Sequence, residues 1–171
     1  MFVANDVELG VPFVTARPRL MELIAGRALA DASRAAFDEG RAQLAHLAQP
    51  DRPSPARLMR VRSLRPAVSA DRVTAALRWE AIGAPGGLFP VLDADLTLTP
   101  TSPQATRMSL AGVYRPPLGY LNIDLDPATT GRVAGTTVRA LLRTAAVYLA
   151  GPGANGANGA TGSLPRAAEA P

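Results

Sequence analysis

Few side chains in this sequence can carry out chemistry, and the clearest pair is Asp93 and Asp95 in the stretch VLDADLTLT. Residues two apart on a strand point to the same side, so the two carboxylates could form an acid–base pair. A general acid needs a pKa raised by burial, however, and the alternation predicts a polar, exposed face. We therefore predict that both aspartates are structural and pair across strands with Arg78 and Arg107.

The composition excludes several other kinds of site. The 171 residues include one histidine, His46, and no cysteine, and the 18 basic residues are all arginine. Without lysine there is neither a Schiff base nor a standard Walker A loop, and without cysteine most zinc sites are disfavoured. His46 would need an orienting partner to act as a base. We predict no metal and no cofactor, assign no catalytic residue, and expect a cytoplasmic protein without a signal peptide or a membrane span.

The formal net charge of +4 raises the question of an acidic partner. Arginines are concentrated in one segment, at Arg57, Arg60, Arg62, Arg65 and Arg72. Nucleic-acid binding is disfavoured because only Trp79 lies nearby to stack on bases. An acidic protein partner stays open as an alternative, although a solvated sheet face is the simpler interpretation.

Four alternating segments predict a sheet with one wet and one covered face, which is typical of antiparallel pairing. They are RLMRVRSLR, DRVTAALRWEAI, VLDADLTLT and TRMSLAGVY, and LNIDLD is a possible short last strand. In the first of them, alternation places Met59 and Val61 on the same face. A long amphipathic helix then starts at Asp126 and Pro127 and stops at Gly151. Its apolar stripe consists of Ala134, Val138, Leu141, Leu142, Ala145 and Leu149.

The first third of the chain predicts an edge strand in VELGVPFV and two short helices. Thr15 is the expected cap of the first helix, which runs through RPRLMELIAG, and the second extends from Ala28 to Glu39 and ends at Gly40. Residues 42–48 fit either a continuation of that helix or a strand, and we favour the strand. Residues 151–171 are rich in Gly, Ala, Asn and Pro and predict a disordered tail, which leaves one domain at 1–150.

The segments LRWEAIG, LFPVLDADLTLTP and GVYRPPLG resemble a bacterial branch of the START and Bet v 1-like superfamily, also called the polyketide cyclase-like or SRPBCC group. The resemblance covers residues 1–150. It implies an α+β helix-grip fold: a curved antiparallel sheet that grips a long C-terminal helix, with two short helices after the first strand. It also implies an apolar cavity between sheet and helix, since members bind lipids, hormones or aromatic polyketides, and some cyclise or hydrolyse them.

The resemblance and the alternation together predict which residues line the cavity. They are Leu77, Trp79, Leu96, Leu110, Tyr114, Val138 and Leu142, with Arg115 at the rim. Trp79 and Tyr114 are the strongest candidates, because each has an apolar body and a polar group that needs a partner.

Three functions follow from these patterns. We favour the binding of a small hydrophobic molecule in the cavity. One alternative is a cyclase- or hydrolase-type enzyme, which requires an ionisable group inside the cavity; the candidates are Asp93, Asp95, Glu80 and His46. The other alternative is an interaction module that binds an acidic partner through the arginine-rich sheet face.

Overall fold

One antiparallel sheet carries a long C-terminal helix on its inner face in the computed structural model, which describes residues 1–48, 56–82, 88–115 and 126–151. In chain order the elements are β1 (Phe2–Leu9), α1 (Phe13–Ala25), α2 (Ala28–Ala48), β2 (Arg57–Ser63), β3 (Ala67–Val68), β4 (Val73–Ile82), β5 (Leu88–Ser102), β6 (Ala105–Tyr114) and α3 (Pro127–Ala150). The predicted α+β class, with two helices after the first strand and a final helix packed on the sheet, is confirmed. Residues 121–125, which make up the possible strand in LNIDLD up to Asp126, lie outside the described residues, as does the predicted tail apart from Gly151.

The sheet has the strand order β1-β6-β5-β4-β2, with the short β3 beside β4, and every pairing is antiparallel. Because β1 and β2 stand at opposite ends of this order, α1 and α2 lead the chain from one edge of the sheet to the other. The strand predicted in VELGVPFV is thus an edge strand, but it starts earlier, at Phe2, and ends at Leu9.

The inner face is apolar because residues in register on neighbouring strands share a face. One row across the sheet consists of Val61, Trp79, Leu92 and Tyr114, and the next contains Leu77, Ala94, Gly112 and Val3. A Cβ atom at Gly112 would overlap the carbonyl oxygen of Asp93 and the Cα and Cβ atoms of Ala94. Only glycine therefore permits the close approach of β6 to β5 at this point.

Helix α3 begins and ends at the predicted residues. The Asp126 carboxylate accepts hydrogen bonds from the backbone N–H groups of Ala128 and Thr129, both at 2.9 Å, and Gly151 follows the last turn at φ 73°. The Arg19 guanidinium of α1 also donates to the carbonyl oxygens of Leu149 and Ala150, both at 2.7 Å. This contact satisfies two carbonyls that the helix leaves open and ties α1 to the end of α3.

Two predictions for the first helices are wrong. Helix α1 starts at Phe13 after Pro12, so Thr15 lies inside the first turn and does not cap it. Helix α2 runs to Ala48, so residues 42–48 are helical rather than a strand, and Gly40 does not end the helix. Gly40 is buried against α3, where an added Cβ would overlap Oγ1 of Thr137. The glycine therefore permits the close crossing of two helices.

A bulge in β2 changes the predicted face of one residue. The register with β4 shifts between Leu58 and Arg60, so that Leu58 and Val61 both pack against the core while Met59 is exposed. The prediction that Met59 and Val61 share a face is wrong, because the extra residue in a bulge reverses the alternation beyond it.

Candidate ligand-binding interior

All seven predicted cavity residues are buried on the inner side of the fold, with exposures of 3% or less. Trp79 and Tyr114 lie in one row with Leu92 between them, Leu96 pairs with Leu110, and α3 contributes Val138 and Leu142 to the same core. The structure thus brings the set together. Contact of these residues with a ligand stays a prediction, as does the rim role of Arg115, which is exposed directly after β6.

The distance between α3 and the sheet differs from one side of the sheet to the other. Helix α3 packs closely on β1, on β6 and along α2, whereas β4 and β5 have no comparably close approach to α3 in the part of the chain that the structure describes. The inner side chains of β4 are nevertheless all buried; they are Val73, Ala75, Leu77, Trp79 and Ala81. The inner face of β4 is thus buried without a close approach of the α3 backbone, and two of these five residues are alanines.

The Tyr114 hydroxyl of β6 lies at one end of this interior, where α2 and α3 cross. Thr137 Oγ1 of α3 lies 3.3 Å from the Tyr114 hydroxyl and 2.9 Å from the Val133 carbonyl oxygen, and α2 passes beside both residues at Gly40. Burial raises the pKa of the Tyr114 phenol to about 12, an effect that the hydrogen bond with Thr137 partly offsets. The phenol is therefore neutral at physiological pH and holds the sheet to the crossing of α2 and α3.

The Trp79 indole is the second polar group in that row. Its ring is fully buried, and Nε1 has no hydrogen-bond acceptor among the described residues. Leaving a buried N–H donor without an acceptor costs about 1–3 kcal/mol. Buried polar groups in native proteins are rarely left without a partner, so this one needs an explanation.

The candidate acid–base groups lie on the outer face or in solvent. Asp93 and Asp95 are exposed, as predicted, and so is His46. Glu80 is partly buried on the outer face, where it pairs with Arg60 at 3.1 Å and with Arg78 at 3.5 Å. None of these four groups reaches the interior, so the enzyme alternative that places one of them there gains no support.

An ion-pair ladder crosses the outer face from β2 to β5. Arg78 bridges Glu80 and Asp93, which is 3.6 Å away, while Arg107 pairs with Asp6 on β1 at 3.8 Å rather than with Asp93 or Asp95. These half-exposed pairs each contribute a few tenths of a kcal/mol, roughly. They also neutralise part of the arginine-rich face that the third hypothesis requires for an acidic partner.

A shallow hollow of about 430 Å³ lies on the same outer face. Its lining includes Ala76, Asp95 and Ala111 together with Arg62 and Arg78. The hollow is open and mixes both charges, so it lacks the enclosed apolar character of a small-molecule site. Within the described residues no three His, Asp or Glu side chains lie close enough together to hold a metal ion.

Sequence reasoning missed two residues of the interior, Gly40 and Thr137. Thr137 is fully buried and lies four residues after Val133 and four before Leu141, both buried. That helical spacing was a signal that a polar side chain faces the core. Gly40 gave no such signal, since its role depends on a helix far away in the chain.

Comparisons with known proteins assign no family. Neither the family models nor the sequences of curated proteins match this chain. The crystal structure of TTHA0849 from Thermus thermophilus is similar over 87% of this chain and 97% of its own, with 11% sequence identity and a TM-score of 0.41. A likeness at that level assigns neither a ligand nor an activity. No helix in the described parts of the chain has the length and apolar character needed to cross a membrane.

Proposed function

We propose that this protein binds a small hydrophobic molecule between the inner face of β4 and β5 and the helix α3. The observation that carries the proposal is the asymmetric position of α3, which lies close to β1 and β6 but leaves the buried face of β4 without closely packed helix backbone. A region that the α3 backbone does not approach closely, with small side chains at Ala75 and Ala81, is where a bound molecule would replace the fewest existing contacts.

The chemistry of the interior supports an apolar guest. Besides Trp79 and Tyr114, the buried side chains with a polar group in the described residues are Ser33, Thr106, Thr129 and Thr137, and none of the buried residues carries a charge. Membership in the START and Bet v 1-like superfamily, which the sequence segments suggest, is part of the proposal. It would place the guest where those proteins hold lipids, hormones or polyketides.

Uptake of a neutral fluorescent probe tests the proposal. N-phenyl-1-naphthylamine is titrated into the protein, and emission of the probe and of Trp79 are recorded together. Since Trp79 is the single tryptophan, energy transfer from it reports a probe inside the fold. We expect saturation at one probe per chain, with Trp79 emission falling as probe emission rises. The absence of saturable uptake, together with native mass spectra that show only the bare chain, would refute the proposal.

Two matched substitutions locate the bound probe. Ala94 is buried on the inner face and Ala111 is exposed on the outer face of the neighbouring strand. Ala94→Leu fills the interior and is expected to weaken uptake at least fivefold, whereas Ala111→Leu leaves it unchanged. Circular dichroism verifies that each variant is folded. Ala75→Leu, on the next row of the inner face, replaces Ala94→Leu if the latter does not fold.

A further inference from the structure

The buried indole of Trp79 indicates which hydrophobic molecules the interior accepts. We propose that the ligand is neutral and mainly apolar and carries one hydrogen-bond acceptor, such as a ketone or ester carbonyl, to which Trp79 Nε1 donates. This inference rests on the proposed function and narrows its ligand class. Its starting point is that Nε1 is buried and has no acceptor among the described residues.

The strand neighbours of Trp79 do not supply the acceptor. In register with it stand Val61 on β2 and Leu92 on β5, and the adjacent inner positions of β4 are Leu77 and Ala81. All four side chains are apolar, and an indole can only donate. No change of rotamer among these four neighbours satisfies the N–H group, and we infer that a bound molecule supplies the acceptor.

Ser33, the other uncharged side chain without a partner in the described part of the chain, does not require a ligand in the same way. It lies within helix α2, and a serine hydroxyl there can rotate towards a backbone carbonyl of the preceding turn. An indole N–H has no such choice, because its direction is fixed by the ring. The Tyr114 hydroxyl is already joined to Thr137. The Trp79 N–H is therefore the buried donor to which we assign a ligand acceptor.

The acceptor must be uncharged. No charged residue of the described part is buried, so a carboxylate or phosphate beside Trp79 would lie in an apolar environment without a countercharge. A carbonyl group needs no countercharge and accepts along the direction in which the indole donates.

Nuclear magnetic resonance on the full-length, ¹⁵N-labelled protein tests the contact directly, since a single tryptophan gives a single indole N–H signal. Two probes of nearly equal shape are compared: 2-acetylnaphthalene, which carries a carbonyl, and 2-isopropenylnaphthalene, in which a CH₂ group replaces the oxygen. We expect the ketone to move the indole proton downfield and to bind about tenfold tighter, the gain of about one hydrogen bond. The hydrocarbon is expected to bind without the downfield shift.

The variant Trp79→Phe keeps an aromatic ring and removes the donor. In this variant we expect the two probes to bind with equal affinity, measured by equilibrium dialysis. Equal binding of both probes to the unmutated protein, with the indole signal unchanged, would overturn the inference and leave the proposed function standing. Binding of neither probe would overturn both. If Trp79→Phe does not fold, the inference is still tested in the unmutated protein by the shift of the indole proton and by the ratio of the affinities for the ketone and the hydrocarbon.

Discussion

The raised pKa of Tyr114 predicts a specific loss of stability in alkali. The unfolded chain releases the phenol proton near pH 10, whereas the buried phenol of the folded chain does so near pH 12. Between these values the unfolded state binds fewer protons, so the free energy of unfolding falls by about 1.4 kcal/mol per pH unit. Across two units the loss is about 2–3 kcal/mol. Below pH 10 the stabilisation is complete, and above pH 12 no more of it is lost.

This chain is well suited to the measurement because it has neither lysine nor cysteine, and its three tyrosines are the side chains that ordinarily titrate near pH 10. Urea unfolding followed by circular dichroism at intervals from pH 8 to 12 gives the stability curve. Tyr114→Phe starts about 0.5–1.5 kcal/mol lower, since it lacks the hydrogen bond with Thr137. Its curve should then be much flatter above pH 10, so that the unmutated protein, which starts more stable, becomes the less stable of the two by about pH 12.

Tyr148→Phe is the control, because Tyr148 lies on an exposed side of α3 with 40% of its surface accessible. That variant should keep the alkaline slope of the unmutated protein. A Tyr114→Phe variant that loses stability above pH 10 as steeply as the unmutated protein would refute the reasoning. The Tyr114 phenol would then not be the group whose ionisation opposes folding.

Three further substitutions test the contacts that hold the helices. Gly40→Ala should lower the free energy of unfolding, measured in urea, by about 1–3 kcal/mol, because the added methyl group overlaps Thr137. The loss should be smaller when Thr137 is also replaced by alanine. Gly10→Ala is the control: the added methyl group meets no atom within 4 Å, so the free energy of unfolding should change by less than about 0.5 kcal/mol. Asp126→Ala should lower the thermal midpoint at pH 7 by removing the cap of α3. The hydrogen bonds from Thr129 hold the pKa of this carboxyl below its usual value, so the deficit should begin to shrink as the pH falls below about 4 and disappear only below the lowered pKa. A deficit that is the same at pH 7 and in strong acid would contradict this. Arg19→Met should cost about 1–2 kcal/mol, since two carbonyls of α3 lose a charged donor; an unchanged urea midpoint would count against that role.

Local signals predicted the parts of the fold that depend on neighbouring residues. The bounds of α3 follow from Asp126, Pro127 and Gly151, which act within one turn of their own positions. Gly40 misled the prediction for α2 because a glycine signals a helix end unless a distant element packs on it. The face of Met59 was also wrong, since a bulge depends on how two strands pair and leaves no local pattern.

For the candidate interior, the sequence predicted which side of each strand is buried but not which buried side chains contact one another. Alternation identified the buried sides of β4, β5 and β6, and with them Trp79 and Tyr114. The crossing of α2 and α3 places Thr137 beside Tyr114, whereas no described residue gives Trp79 a hydrogen-bond acceptor. The hydrophobic periodicity of the sequence does not show this difference between Tyr114 and Trp79.

The pairing of β1 with β6 has a consequence for biosynthesis. Phe2 lies opposite Val113 and Leu9 opposite Thr106, so the first strand leaves the ribosome long before its partner exists. At about 5–20 residues per second, that delay is roughly 5–20 s. During this interval the strand has no ladder to join, and Val3, Val7 and Leu9 stay in contact with water. Translation speed and chaperone supply should therefore affect the yield of this protein more than that of one whose opening strands form a hairpin.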